Sequence, residues 1–293
     1  MFEFEEIDLK HRKEYEEFLK ASGIVSSEYS FFGLWGWRES ERAKIFFEDN
    51  ICWLKNRRGI LSPVCKPEQD WEAVLMKYFP EGIVLNNVPE GLAFTLSSLA
   101  GVKIKELRSE WEYIYPIKDL IELKGRIFSQ KRAHIKVFEA KYKCEYVSLL
   151  EEDFDELIKF QSEWIERQKG GIDPSVLEEE NKAIMNALEN WNDFPLFGAC
   201  LRIDGRIAAY AIAEELNDET IDIRFEKAFL KYEGIYQFLN KIFLSRQAKS
   251  YIWVNREEDM GNEGLRKAKL SYHPTRYEKK YLVNIPRYST ISQ

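Results

Sequence analysis

An internal repeat of low identity limits what this chain can fold into more than any other feature. Gly82–Pro116 (GIVLNNVPEGLAFTLSSLAGVKIKELRSEWEYIYP) and Tyr251–Ile285 (YIWVNREEDMGNEGLRKAKLSYHPTRYEKKYLVNI) run in step. Each opens on an apolar strand ending in Asn (Asn86, Asn255) and passes an acidic, Gly-containing turn (Glu90-Gly91; Glu258-Asp259-Met260-Gly261). A short helix follows in each (92–99; 263–270), then an aromatic strand (110–115; 276–282). Trp111 lies 25 residues after Asn86, and Lys280 lies 25 after Asn255. Matched order and spacing over such a length point to duplicated modules.

Upstream of both copies the pattern is the same: helices, a three-strand meander, then an amphipathic helix. In the first half the meander reads 43–48, 51–55 and 59–62, and Trp71, Val74, Leu75 and Tyr78 mark one face of the following helix. In the second half Leu157, Ile158, Gln161 and Trp164 are spaced for one helix face, and Asp173-Pro174-Ser175 reads as a helix cap. Asp204-Gly205 is a type I′ hairpin signal between strands 196–203 and 206–214. Helices, β-meander, helix, β, helix, β is the order of the GNAT (acyl-CoA N-acyltransferase) topology, in which two strands splay to receive an acyl donor. The expected fold is therefore α+β, with two tandem GNAT-like domains of mixed sheets flanked by helices. A length of 293 residues suits two domains of about 100–200 residues. The charge reverses from the basic stretch 124–143 to the acidic 151–156. That places an N-terminal domain at 1–122, a basic connecting segment at 123–145 and a C-terminal domain at 146–293.

A net charge of −7 argues against nucleic-acid binding over the whole surface. Contact with tRNA would have to use a local patch such as Lys124, Arg126, Lys131, Arg132, Lys136, Lys141 and Lys143. Cys52, Cys65, Cys144 and Cys200 form no C-x-x-C pair, and with three His no metal site is expected. They read as reduced, mostly buried thiols. The charged N-terminus has no signal-peptide pattern, and no run of about 18 apolar residues marks a membrane span. A cytoplasmic location is expected.

SEYSFFGLWGWR (Ser27–Arg38), SEWEYIYPIKDLIELKGRIFSQKRAHIKVF (Ser109–Phe138) and NREEDMGNEGLRKAKLSYHP (Asn255–Pro274) carry a resemblance that spans nearly the whole chain. Together they resemble the C-terminal region of bacterial phosphatidylglycerol lysyltransferases, including its stand-alone relatives. That family is related in fold to the Fem peptidyltransferases and to leucyl/phenylalanyl-tRNA–protein transferase. The resemblance implies a tandem GNAT transferase fold, and an aminoacyl-tRNA donor. It does not supply the acceptor.

Aminoacyl or acyl transfer needs the donor's phosphates neutralised, a proton removed from the acceptor and the tetrahedral oxyanion stabilised. GNAT folds cradle phosphate on backbone N–H groups at a helix start, in an R/Q-x-x-G-x-G/A loop. The matching position reads Lys231-Tyr232-Glu233-Gly234-Ile235-Tyr236. Gly234 is kept, but Tyr236 replaces the second small residue and would crowd a pyrophosphate. No comparable loop precedes Trp71, so the first half reads as a structural copy. Asn255 ends a strand, where α/β sheets expose functional groups. Glu258 and Asp259, in an acidic run with Glu257, are candidate general bases, and Tyr236 joins them as a catalytic candidate. Arg266, Lys267, Lys269 and Tyr272 are candidates for holding the donor, with Lys131, Arg132, Lys231 and Gln237. The acidic turn and basic helix equally fit a solvated surface balanced by the helix dipole.

Three functional readings stay open on the sequence. The first is transfer of an aminoacyl group, from aminoacyl-tRNA, to an amine or hydroxyl acceptor such as a small molecule or peptide. The second is acyl transfer from an acyl-CoA. The third is a non-catalytic binding or regulatory protein on the same fold. No cofactor is fixed beyond these donors.

Overall fold

The computed structural model describes residues 3–168 and 170–288. In chain order its strands and helices are β1 (Glu5–Glu6), α1 (Arg12–Ser22), α2 (Phe31–Gly36), α3 (Arg38–Glu41), β2 (Lys44–Glu48), β3 (Ile51–Asn56), β4 (Gly59–Leu61), α4 (Trp71–Tyr78), β5 (Ile83–Pro89), α5 (Glu90–Ser97) and β6 (Lys103–Glu106). They continue with β7 (Glu112–Pro116), α6 (Ile117–Glu122), α7 (Ser129–Lys141), β8 (Glu145–Ser148), α8 (Phe154–Gln168), α9 (Pro174–Glu189), β9 (Leu196–Ile203), β10 (Arg206–Asn217), β11 (Thr220–Ala228), α10 (Ile235–Gln247), β12 (Trp253–Asn255), α11 (Glu263–Leu270), β13 (Arg276–Glu278) and β14 (Lys280–Ile285). The expected order of elements is present in both halves, and the fold is α+β with two mixed sheets flanked by helices.

Local chemistry explains most boundaries. Asp49 and Asn50 between β2 and β3, and Asp204 and Gly205 between β9 and β10, all adopt positive φ, as a two-residue I′ hairpin turn requires. Asp70 caps α4 by accepting from the Ala73 N–H, and Asp173 caps α9 just ahead of Pro174. On α8 the buried face is Leu157, Phe160, Gln161 and Trp164, whereas Ile158 is exposed. The aromatic segment 29–38 supplies core: Tyr29, Phe31, Phe32, Leu34 and Trp35 are buried. Cys52, Cys65, Cys144 and Cys200 are free thiols, and burial pushes Cys65 and Cys200 up to about 12.

The compact units depart from the expected partition. Unit 1 comprises residues 1–112, 258–266 and 277–293, and unit 2 comprises 113–257 and 267–276. The reason is the last strand of each repeat. Sheet order in the first half is β1-β2-β3-β4-β5-β14-β6, so its seventh strand comes from the C-terminal copy. The other sheet runs β13-β7-β12-β11-β10-β9-β8 and receives β7 from the N-terminal copy. β14 pairs antiparallel with β5 and β6, and β7 pairs antiparallel with β12. The expected connecting segment 123–145 is likewise no linker. Its helix α7 is part of unit 2 and packs on α10, with Phe138 and Phe238 stacked at 4.7 Å.

Each sheet has one parallel pair that stops pairing early. In unit 1, β4 and β5 pair only at Ile60–Leu85 and Leu61–Asn86, while β5 runs on to Pro89. In unit 2, β11 and β12 pair over Thr220–Asp222 and Trp253–Asn255, while β11 runs on to Ala228. These are the splayed strands that the topology predicts.

Candidate functional site in the splayed strands

In unit 2 the divergence of β11 and β12 is floored by charge. Arg224, whose side chain is 2% exposed, lies 2.5 Å from Glu214, 3.1 Å from Asp222 and 3.1 Å from Glu257. Burial by itself would lower the Arg224 pKa; the three carboxylates outweigh it and hold the guanidinium above its usual value. Arg256, just past β12, pairs with Glu226 at 3.0 Å. Arg256 and Glu226 balance each other, whereas the single Arg224 guanidinium faces three carboxylates, a local surplus of negative charge at the end of the strand pair.

The turn that opens α10, where a GNAT protein cradles pyrophosphate, is closed by packing. Gly234 has φ +85°, and a Cβ placed on it would sit 2.2 Å from the carbonyl oxygen of His134 on α7. The α carbon of Gly234 thus packs directly against the α7 backbone at His134. The Tyr236 hydroxyl accepts from the Ala228 N–H at 3.1 Å, and burial pushes it up to about 12. Both positions therefore knit α10 to its neighbours. Gln237 is half-buried on the same turn, and Lys231 is exposed with its ammonium over the Tyr232 ring.

The other expected site residues divide between the units. Asp259 is fully buried in unit 1, gripped at both oxygens by Arg266 at 2.8 Å and reached by Arg108 at 3.2 Å. It also accepts from the Gly261 N–H, which makes it the anchor of its turn. Glu258 is half-buried near Lys280, whose pKa it helps to raise. Asn255 is buried in unit 2, its Oδ1 accepting from the Glu257 N–H at 2.8 Å. Arg132 donates to the carbonyls of Leu123 and Gly125, closing the loop ahead of α7. Lys267 is exposed. Lys131, Lys269 and Tyr272 do come together, in company with Arg256.

Unit 1 contains a feature that sequence reasoning missed. A cleft of about 400 Å³ opens where β4 and β5 part, lined among others by Ser26, Cys65, Trp71, Glu90, Lys279 and Lys280. Its wedge is Tyr29, which is fully buried. The Tyr29 hydroxyl accepts from the Ser62 N–H at 3.1 Å and donates to the Asn87 carbonyl at 3.0 Å, so it stands in for a missing rung of the ladder. Behind it Lys280, 2% exposed, lies 2.6 Å from Glu112 and 3.0 Å from Glu28. Burial alone would lower the Lys280 pKa, but Glu112, Glu28 and Glu258 hold it well above its usual value. Glu112 is fully buried and also accepts from Ser26 and Ser27. One carboxylate in the strand EYIYP is the signal that marks such a site: a lone charge in an aromatic strand needs a buried partner.

Comparison with known proteins agrees with this fold. A structure of a conserved protein of unknown function from Bacteroides thetaiotaomicron is 30% identical, covering 97% of this chain and 100% of that one, with a TM-score of 0.86. L-PGS from Bacillus licheniformis superposes with a TM-score of 0.58 at 17% identity, covering 94% of this chain and 92% of its own. FemX superposes with a TM-score of 0.62 at 11% identity, covering 99% and 100%. These last two likenesses concern the fold. Residues 26–284 match the model of the family described as phosphatidylglycerol lysyltransferase, C-terminal, and the chain belongs to that family.

Proposed function

We propose that the protein transfers an aminoacyl group from aminoacyl-tRNA to an amine or hydroxyl acceptor. Family and fold are consistent with a transferase of the GNAT/Fem type. The observation that carries the choice of donor is the turn at Gly234, which packs tightly on α7 and has the bulky Tyr236 where a pyrophosphate loop has a small residue. Two further features support it. The surplus carboxylates around Arg224 suit the ammonium of an aminoacyl group. The exposed cations Lys124, Arg126, Lys136, Lys141 and Lys143 give unit 2 a local basic patch for a phosphate backbone.

In this reading the acceptor nitrogen or oxygen attacks the ester carbonyl carbon. The new bond forms as the carbon–oxygen bond to the tRNA terminus breaks, and the acceptor's proton passes to the leaving oxygen. An ester is already activated, so most of the work is positioning. Asp259 and Tyr236 serve as anchors of the scaffold here rather than as proton carriers, because their polar atoms are engaged within it.

Filter binding with charged and uncharged tRNA, alongside acyl-CoA thermal shifts, tests the reading. Charged tRNA is expected to bind with an affinity that falls steeply between 50 and 200 mM salt, by about tenfold or more. Transfer of a radiolabelled aminoacyl group to hydroxylamine should accompany it. Micromolar binding of an acyl-CoA with no tRNA binding would overturn the reading in favour of acyl-CoA chemistry.

A further inference from the structure

We propose that Lys131 and Arg256, both over the Tyr272 ring in unit 2, together with Lys269 at the Arg256 carbonyl, form a binding site for a phosphate group. Three elements supply the cations: the first turn of α7, the residue after β12 and the last turn of α11. The Lys131 ammonium lies 3.9 Å from the centre of the Tyr272 ring and donates to Ser271 Oγ at 2.7 Å. The Arg256 guanidinium lies 5.2 Å from the same ring. Lys269 donates to the Arg256 backbone carbonyl at 2.6 Å. The site is distinct from the closed turn at Gly234.

Charge is out of balance here. Glu226 pairs with Arg256, but among the described residues Lys131 has no carboxylate partner. Burial, and then repulsion from Arg256, push Lys131 down to about 8. A ring face attracts one cation, which accounts for a single positive group against Tyr272 and not for Lys131 and Arg256 together. Folding gains nothing from crowding like charges in a half-buried place; an incoming anion does. The Tyr272, Tyr113 and Tyr115 side chains also face the cluster. Tyr272 is pushed up to about 12, the Tyr113 ring lies 5.7 Å from the Lys269 ammonium, the Tyr115 hydroxyl donates to the Lys269 carbonyl, and His273 packs edge-on against Phe128. A guanidinium fork with two ammoniums matches the several oxygens of a phosphate better than a carboxylate. The inference goes beyond the transfer reading and needs no donor identity. A terminal phosphate and an RNA phosphodiester share the required chemistry.

Isothermal titration of the full chain at constant ionic strength, with chloride as the reference salt, tests it. The probes are inorganic phosphate and the dinucleoside monophosphate CpA. At least one is expected to bind above the chloride background at pH 7. Lys131→Met should weaken it at least tenfold. Wild-type affinity for CpA, whose diester does not titrate there, should fall between pH 7 and 9.5 as Lys131 loses its proton, and Lys131→Arg should abolish that fall. Tighter binding of inorganic phosphate assigns a terminal phosphate, and tighter binding of CpA assigns an RNA strand. The proposal is overturned if neither probe binds above chloride, or if both variants match the wild type at each pH. Should Lys131→Met not fold, the wild-type pH profile and Lys131→Arg decide. Failure of tRNA binding or aminoacyl transfer would leave this result standing, and the converse holds as well.

Discussion

At the residue scale, the acidic run 257–259 shows how far side-chain type alone can be read. Clustered carboxylates suggested bases, yet Asp259 is fully buried and held by two arginines. The Arg that grips it with two bonds sits seven residues on, at Arg266, and a carboxylate so enclosed serves packing. Asp259→Ala should therefore cost about 3 kcal/mol, since Arg266 and Arg108 lose their partner. Urea unfolding measures this, and a cost under about 0.5 kcal/mol would remove the anchoring role. Tyr29 was legible only as an aromatic. That its hydroxyl would bridge two parting strands depends on partners 33 and 58 residues away. Tyr29→Phe leaves the Ser62 N–H and the Asn87 carbonyl unpaired in the core, at about 2 kcal/mol. Urea unfolding measures the loss, and stability equal to the wild type would argue that the hydroxyl is no bridge.

At the element scale, the repeat and the periodic helices were readable because burial enforces their spacing; α4, α8, α9 and α10 all fall near their expected positions. Helix α7 falls in the stretch that reads as a basic connecting segment, and the reason for that reading is physical. It is basic, and only Ile135 and Phe138 of its residues are buried. So thin an apolar face reads as a linker until its partner is known. The partner is the turn before α10, and Gly234 records the contact. Gly234→Ala combines a left-handed backbone with a clash against the His134 carbonyl, so about 2–4 kcal/mol is expected. If α7 instead yields without cost, the melting temperature will not move. In that event the turn can open, and the argument against a CoA donor loses its footing.

At the scale of the whole molecule, the exchange of last strands is the feature local sequence could not reveal. Glu112–Pro116 and Lys280–Ile285 each combine aromatic and aliphatic residues with a buried charge, Glu112 in one and Lys280 in the other. Either would suit the place beside β5 in one sheet or beside β12 in the other on pattern alone. The outcome is written in the pairing of Lys280 with Glu112, a buried ion pair that belongs to unit 1 although its partners lie 168 residues apart. A consequence follows for fragments. Residues 1–122 look like a complete domain by element count, but they lack β14, so β5 and β6 would each expose an edge and Glu112 would lose its ammonium. Exposed edges template aggregation, and an unpaired buried carboxylate costs several kcal/mol. The 1–122 fragment expressed alone should therefore show weak β-structure by circular dichroism and dispersed signals absent from its amide spectrum. Addition of a peptide spanning 277–288 should restore both, and the same peptide carrying Lys280→Met should restore much less. A 1–122 fragment that folds unaided would mean that β7 can turn back into its own sheet, and that the exchange is one of two arrangements open to the chain.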